Sequence, residues 1–472
     1  MNTLSTDVAI LGAGTAGLNA RRGAEARGAR AVMVDPGPFG TTCARVGCMP
    51  SKLLIAAAER AHSAQEAAPF GVQIPQVRVD GPAVMRRVQA ERDRFVGFVL
   101  EAIDEHLEAG RLIKGRARFV GPNTLQVDEH TQLTFRSAVI ATGTTPFVPP
   151  PFRGLGDALI DNSGIFELPD LPESVLVVGA GVIGLELGQA LHRLGVRVTI
   201  VGLGGQIGPL SDPKVLQVAR EVFSQELDLR PDYQLESITR LPDGQVEMRA
   251  DGRVDRYQRV LIASGRLPNL GNLGLEEVFG WDPKALPPVD PRMGQIGDSH
   301  IFLGGDVSSF RPLLHEAADE GRIAGENAGR YPAIEARPRR TALGVVFTDP
   351  QIAVVGKPYS QTGACGCCAG EVDYSRQGRA RVMGRNKGWV RIYAECDQGV
   401  LQGAEMFGPD VEHTAHLLAW AIQRRLSVHE ALELPFYHPV VEEGIRTALQ
   451  DLRKNLHFRA RTPGCADTRG LL

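Results

Sequence analysis

Asp7-Val-Ala-Ile-Leu-Gly-Ala-Gly-Thr-Ala-Gly17 is the stretch that decides the fold. Asp7 to Gly12 is a short apolar run, and Gly12-Ala-Gly-Thr-Ala-Gly17 then fits G-x-G-x-x-G. A helical stretch, Leu18 to Arg27, follows, and a second apolar run, Ala31 to Val34, ends in Asp35. Strand, glycine turn, helix and strand in that order open a doubly wound sheet. Gly12 permits the tight turn, Gly14 lets backbone approach a pyrophosphate, and Gly17 lets the helix sit close to the strand. Asp35 is placed to accept from ribose hydroxyls.

The pattern recurs further along the chain. Ser174 to Val178 is apolar, Gly179-Ala-Gly-Val-Ile-Gly184 follows, Leu185 to Leu194 is helical, and Val196 to Val201 is the next strand. A lone glycine turn is weak evidence; two copies, each in strand–helix–strand context, imply two dinucleotide sites. Gly179, Gly181 and Gly184 repeat the first set, but the second strand ends in Gly202 rather than an acid. Between the copies lie a long helix, Pro82 to Glu108, and β-rich sequence from Arg111 to Ile140. Pro146 to Pro151 marks a crossover. Ile296 to Arg330 resumes strand–turn–helix. From about Arg340 the composition changes. Strand-like pieces (Leu343–Phe347, Gly388–Ala394, Val400–Phe407) precede amphipathic helices at His413–Arg424 and Glu442–Asp451, and Arg459 to Leu472 lacks periodicity. The expectation is an α/β chain of two Rossmann-like domains plus a C-terminal α+β domain. Its divisions fall at 1–150, 151–270, 271–339 (a return to the first domain) and 340–472.

Length and charge agree. At 472 residues the chain is long enough for about three domains. A net charge of -3 gives no reason to expect nucleic acid or an anionic membrane as partner. No apolar run reaches the ~18 residues of a membrane span. The N-terminus does not resemble a secretory signal, so cytoplasmic residence is expected. The seven cysteines are an odd number, which with the size and the missing signal argues against a structural disulfide framework.

Cys43 and Cys48 lie in Gly40-Thr-Thr-Cys-Ala-Arg-Val-Gly-Cys-Met-Pro-Ser-Lys52, ahead of a helical run from Ser51 to Ala61. Residues five apart on a regular helix have Cα atoms about 8.6 Å apart, whereas a disulfide wants less than about 7 Å. For the pair to close, the segment must therefore be bent or not yet helical, and Gly47 and Pro50 allow that. The short loop adds little stability, which favours a redox role. Thiolates near a helix N-terminus and a lysine are stabilised as nucleophiles.

These motifs resemble the pyridine nucleotide–disulfide oxidoreductases, and within them the dihydrolipoamide dehydrogenases. The resemblance runs from Asp7 to about Leu456. It rests on both glycine turns, the C-x₄-C-x-P-S-K block at Cys43, Ala141-Thr-Gly143, Glu186, Ser264-Gly-Arg-Leu-Pro-Asn269, Gly304-Gly-Asp306 and His438-Pro-Val-Val-Glu-Glu443. Pro-Ser-Lys after the second cysteine is similar to lipoamide enzymes. The resemblance implies FAD, NAD (with NADP admitted), a homodimer, and a lipoyl-bearing protein or free lipoamide as substrate. No lipoyl-domain sequence precedes Asp7, so that substrate is expected in trans.

It also implies roles. Cys43 is the interchange thiol and Cys48 the thiol against the flavin. Lys52 sits near the flavin, paired with Glu186. Gly12, Gly14, Gly17, Asp35, Thr42, Lys52, Ala117, Thr142, Gly143, Asp306, Leu314 and His315 border FAD. Gly179, Gly181, Gly184, Glu186, Gly202, Gly265 and Arg266 border the nicotinamide nucleotide. His438, supplied across a dimer interface, is the acid/base, oriented by Glu443. Imidazole moves protons near neutral pH, and a carboxylate fixes its tautomer. Pro439 suits the first turn of the helix that follows.

The sequence also departs from the family. Val440 stands where Thr is usual, which puts a local hydrogen bond in doubt. Cys365-Gly-Cys-Cys368 has no family counterpart and is read as a surface loop, with metal handling the alternative; no metal ligand is assigned. The rival enzyme reading is a reductase of another disulfide or of mercuric ion. A rival of a different class is a flavin redox sensor without turnover.

Overall fold

The computed structural model describes residues 1–362 and 368–459. Val8–Leu11 is wholly buried and forms the middle of a five-stranded parallel sheet, ordered Ile301–Leu303, Ser137–Ile140, Val8–Leu11, Ala31–Asp35, Leu112–Lys114. A strand buried on both faces carries a continuous apolar run, as Val-Ala-Ile-Leu does. The helix after the first glycine turn, Thr15–Glu25, is crossed by Leu314–Arg330. Gly321 and Gly325 permit that approach, since a Cβ on either would strike the backbone of Ala16 or Ala20.

The second glycine turn nucleates an equivalent sheet: Leu159–Ile160, Arg259–Ile262, Ser174–Val178, Arg197–Val201, Asp228–Arg230, all parallel. Two antiparallel strands, Thr144–Pro146 and Arg266–Pro268, form the crossover between the two sheets. The β-rich stretch before Ile140 contributes Ala117–Gly121, Thr124–Val127 and Thr131–Thr134 to a four-stranded sheet with Asn2–Ser5. The long helix spans Gly81–Glu108, capped by the Asp80 carboxylate, which accepts from Ala83 N.

The C-terminal region is an antiparallel sheet ordered Leu343–Val346, Gln351–Gly356, Leu401–Gly408, Trp389–Ala394, Ala369–Asp373. Helices Val411–Gln423 and Glu443–Arg459 cover it. The last helix begins at Glu443, so Pro439 stands in its lead-in rather than in its first turn. Glu405, fully buried, docks this region to the nicotinamide side. Its carboxylate accepts from Ser211 N (2.8 Å), Asp212 N (2.8 Å) and Tyr359 N (2.9 Å).

The reading of the cysteines needs one correction. Cys368 is not a plain loop residue: it is joined to Cys396 in a disulfide with Cα atoms 5.1 Å apart. Pairing across 28 residues depends on strand register, which spacing does not reveal. Cys365, Cys367, Cys465 and most of the aperiodic tail lie outside the described residues.

Candidate active site

The two glycine turns are built alike. Gly12 has φ +113° and its N–H donates to Val34 O at 2.8 Å; Gly179 has φ +121° and donates to Val201 O at 2.8 Å. A Cβ on Gly12 or Gly179 would strike the carbonyl of Ala141 or Ala263. On Gly17 or Gly184 it would strike the carbonyl of Gly12 or Gly179. Gly14 and Gly181, by contrast, face open space, with nothing within 4 Å of an added Cβ. Each turn thus leaves its middle glycine bare at a helix N-terminus, the arrangement that receives a pyrophosphate.

Around the first turn, Asp35 accepts from Ala13 N (2.7 Å) and Gly37 N (2.7 Å). A carboxylate offers about four lone-pair directions, so capacity remains for a ribose. Thr142 and Gly143 follow the strand Ser137–Ile140, and Thr142 is tied to Asn269 by reciprocal bonds of 2.7 and 3.0 Å. Asp306 starts a short turn after Ile301–Leu303, and burial raises its pKa against the opposing pull of Arg266. Leu314 and His315 are exposed at the start of their helix; Thr42 is exposed, and Ala117 is half-buried at a strand start. Bare glycines, an acid at the second strand and a half-buried acid after the edge strand of the same sheet fit FAD.

Around the second turn, a cavity of about 450 Å³ is lined by Gly179, Gly181, Gly202, Gln206, Tyr233 and Gly265, among others. It fits a nicotinamide nucleotide. Gly202 N donates to Arg230 O, and Gly204 N to the Asp232 carboxylate at 3.1 Å. The segment Val201–Asp212 carries no cation of its own, yet Arg220 reaches in from the next helix and donates to Gly205 O at 3.0 Å. Arg266 points elsewhere: its guanidinium donates to Thr144 Oγ1, Thr144 O and Asn162 Oδ1.

The cysteines lie on either side of a bend. Thr42–Val46 is one helical piece and Cys48–Gln65 the next, broken at Gly47 with φ −128° and ψ −117°. Cys43 is on the first and Cys48 opens the second; both are free. The Cys48 pKa is lowered to about 7, chiefly by the hydrogen bond from Cys43 and then by the nearby Lys52 ammonium. The same bond, with burial, pushes the Cys43 thiol up. The hydrogen bond thus favours the thiolate at Cys48 and the thiol at Cys43.

Lys52 Nζ meets Glu186 Oε2 at 2.7 Å, and Glu186 is buried. The other Glu186 oxygen accepts from Phe347 N at 2.9 Å, and Lys52 lies 4.5 Å from the centre of the Phe347 ring. Phe347 and Asn162, whose amide donates to Val46 O at 2.7 Å, were not legible as site residues, because nothing local marks either. The redox helix also packs directly on the nicotinamide side: Leu54, Ile55 and Ala58 share one core with Leu185, Leu187 and Ala190.

At the far end, His438 Nδ1 lies 3.0 and 3.1 Å from the two Glu443 oxygens, and Val440 N donates to Glu443 at 3.2 Å. The backbone N–H at Val440 therefore does the holding that its side chain cannot. These bonds lower the Glu443 pKa. His438 is exposed, and among the described residues no hydrogen bond joins it to either redox cysteine.

Residues 6–321 match the family model described as pyridine nucleotide-disulphide oxidoreductase, and residues 343–449 match its dimerisation domain. The chain belongs to the pyridine nucleotide-disulphide oxidoreductase family. Members of this family use FAD and NAD, which the two turns accommodate. Similar family members include a dihydrolipoyl dehydrogenase of Geobacillus stearothermophilus, 28% identical over 93% of this chain and 94% of that one. Another is dihydrolipoyl dehydrogenase 2 of Haloarcula marismortui, 30% identical over 94% and 96%. Among solved structures, LpdA of Mycobacterium tuberculosis aligns with a TM-score of 0.80 at 26% identity, covering 96% of this chain and all of that one. The HOCl-induced flavoprotein disulfide reductase RclA of Escherichia coli aligns at 0.77 with 23% identity, over 94% and 99%, and shares the fold. Among the described residues no helix is long and apolar enough to cross a membrane, and no metal-binding cluster of His, Cys, Asp or Glu is present.

Proposed function

We propose that the protein is a dihydrolipoamide dehydrogenase, oxidising dihydrolipoyl groups with NAD⁺, in the cytoplasm, as a homodimer. The observation that carries the reading is the cysteine pair on either side of the Gly47 bend, beside the Lys52–Glu186 ion pair. FAD, when bound, supplies the two-electron relay between nicotinamide and sulfur. In the oxidising direction, the substrate dithiol attacks the Cys43–Cys48 disulfide at Cys43. His438 takes the proton from the attacking thiol, and Glu443 steadies the imidazolium. Cys48 leaves as thiolate, which Lys52 favours. The second substrate thiol loses its proton to solvent and displaces Cys43, which leaves by taking back the proton held on His438, and the cyclic disulfide is released.

His438 must then come from a second copy. Beside it a groove of about 410 Å³ is lined by Leu417, Trp420, Leu434, Phe436, Tyr437 and Val440, with Trp420 66% and Tyr437 79% exposed. Another subunit covering this apolar surface brings His438 to the partner's redox cysteines. Inactive Cys43→Ser and His438→Ala subunits, once exchanged, are expected to regain activity, since a hybrid dimer holds one complete site. No recovery after verified exchange counts against a shared site. The substrate is tested by steady-state rates with NADH or NADPH against lipoamide, glutathione disulfide and mercuric ion. Lipoamide is expected to give the highest kcat/KM; a higher value for either alternative reverses the assignment.

A further inference from the structure

The Cys368–Cys396 disulfide belongs to neither dinucleotide site and has no part in the chemistry above. Cys368 stands immediately before the strand Ala369–Asp373, and Cys396 just past its neighbour, Trp389–Ala394. Ala369 pairs with Tyr393, so the bridge closes the end of this two-stranded ladder. Among the described residues, Ala369–Asp373 is the edge of its sheet, hydrogen-bonded to a strand on one side only.

That edge strand supports the last helix. Gly370 lies so close to it that a Cβ would strike Ala448 and Leu452. Asn455 donates to Ala369 O at 2.8 Å, and Glu371 N donates to the Asp451 carboxylate at 3.1 Å. The first residue of the same helix is Glu443, which holds His438. A covalent tie at the strand's end therefore bears, through one helix, on the carboxylate that orients the acid/base group.

The region has its own core, including Val390, Ile392, Met406, Leu418 and Leu452, and large domains rarely need staples. The two sulfurs also differ in access: Cys368 is buried, whereas Cys396 is partly exposed at a hairpin turn. Thiol–disulfide exchange needs a sulfur that the attacking thiolate can reach, and Cys396 supplies it.

We propose that Cys368 and Cys396 form a second, flavin-independent thiol–disulfide couple that exchanges with small disulfides and dithiols and sets how firmly Glu443 is held. In closing, the Cys396 thiolate attacks a small disulfide RSSR, forming a Cys396–SR bond and expelling RS⁻. The Cys368 thiolate then attacks the Cys396 sulfur and expels the second RS⁻. Two electrons pass from the cysteine pair to RSSR, and the two thiol protons end on two RSH. The couple stands by itself; its effect on turnover rests on the proposed His438–Glu443 role.

The test equilibrates the full-length holoenzyme in glutathione buffers of varied redox ratio and maps the Cys368–Cys396 linkage by peptide mass spectrometry. Initial rates are then measured with NADH and lipoamide, and with NADH and ferricyanide, an acceptor that needs no interfacial proton transfer. The linkage is expected to open and close reversibly. The closed form should reduce lipoamide roughly threefold faster than the open one, a typical size for coupling through packed elements. Ferricyanide rates should not move, and Cys368→Ser/Cys396→Ser should stay at the open rate. Amide exchange across Ala369–Asp373 and the last helix should be slower in the closed form, a readout that survives if lipoamide is not the substrate. A linkage that never forms, or that resists excess reduced glutathione, overturns the couple. Equal lipoamide rates and equal exchange in the two forms overturn its coupling to Glu443.

Discussion

The two dinucleotide turns have nearly the same backbone and different surroundings. In both, the first and third glycines are locked against carbonyls and the middle glycine is bare. They diverge at the end of the second strand. Asp35 binds two backbone amides of its own turn, whereas Gly202 offers no side chain, and its loop is flanked by Asp232 on one side and Arg220 on the other. Both turns suit a pyrophosphate; the strand end is what differs, with a carboxylate at one and no side chain at the other.

The most damaging way to break this comparison leaves both turns intact and cuts the chemistry between them. Cys48→Ser is expected to retain FAD while lipoamide turnover falls by about 10⁴-fold or more, the scale of losing a reacting nucleophile. Bound flavin by absorbance and steady-state rates check this, and near-normal turnover would sink the disulfide assignment. Next come the locked glycines. Gly17→Val should cost the purified protein its FAD, while Gly184→Val keeps FAD and weakens nicotinamide binding at least ~100-fold, about 2.7 kcal/mol. If Gly184→Val also lost its flavin, the two turns would not be independent sites.

A smaller effect concerns the acidified thiol. With its pKa lowered to about 7, Cys48 in the reduced enzyme is mostly thiolate above that pH and mostly thiol below it. Alkylation by iodoacetamide should therefore rise through about pH 7, where an ordinary cysteine rises only near its usual value of 9.0. At pH 7 the expected advantage over a free thiol is roughly tenfold, after allowing for the weaker nucleophilicity of an acidic thiol. Cys43→Ala, which removes the donor that is the largest cause, should move the inflection upward; an unmoved inflection would assign the effect to Lys52 instead.

The smallest effect is nucleotide choice. With opposite charges flanking a bare Gly202, NADH should be preferred over NADPH by less than about tenfold, or 1.4 kcal/mol. Gly202→Asp should widen that ratio, although its Cβ would meet Ala180 Cβ at 3.0 Å and the neighbours must give slightly. Comparing kcat/KM for the two nucleotides checks both statements, and a preference for NADPH would identify Arg220 as the dominant reader.

What could be read in advance follows from range. The glycine turns, the acid at Asp35 and the long helix are local patterns, and each element lies within a few residues of its expected place. Helix geometry required the segment to be bent or not yet helical if the two cysteines are to pair, and the break falls at Gly47, one of the two residues that allow it. Phe347 under Lys52, Arg220 beneath Gly205 and the Cys368–Cys396 bridge were not legible. Each joins residues from different elements, and nothing in the spacing of either partner names the other. Pro439 was placed a turn too far into its helix, because a proline suits the lead-in as well as the first turn.

Glu186 has a consequence for modularity. Its two oxygens join a lysine of the flavin region and a backbone amide of the C-terminal region, while its own helix belongs to the nicotinamide sheet. Three structural units thus share one buried carboxylate. A chimera that imported a nicotinamide domain from another protein would carry its partners' requirements with it. Without an acid at position 186 the graft would strand Lys52 and the amide of Phe347 together, however well the new sheet folded. A donor without that acid loses the Lys52 ion pair and the bond from Phe347 N in one step.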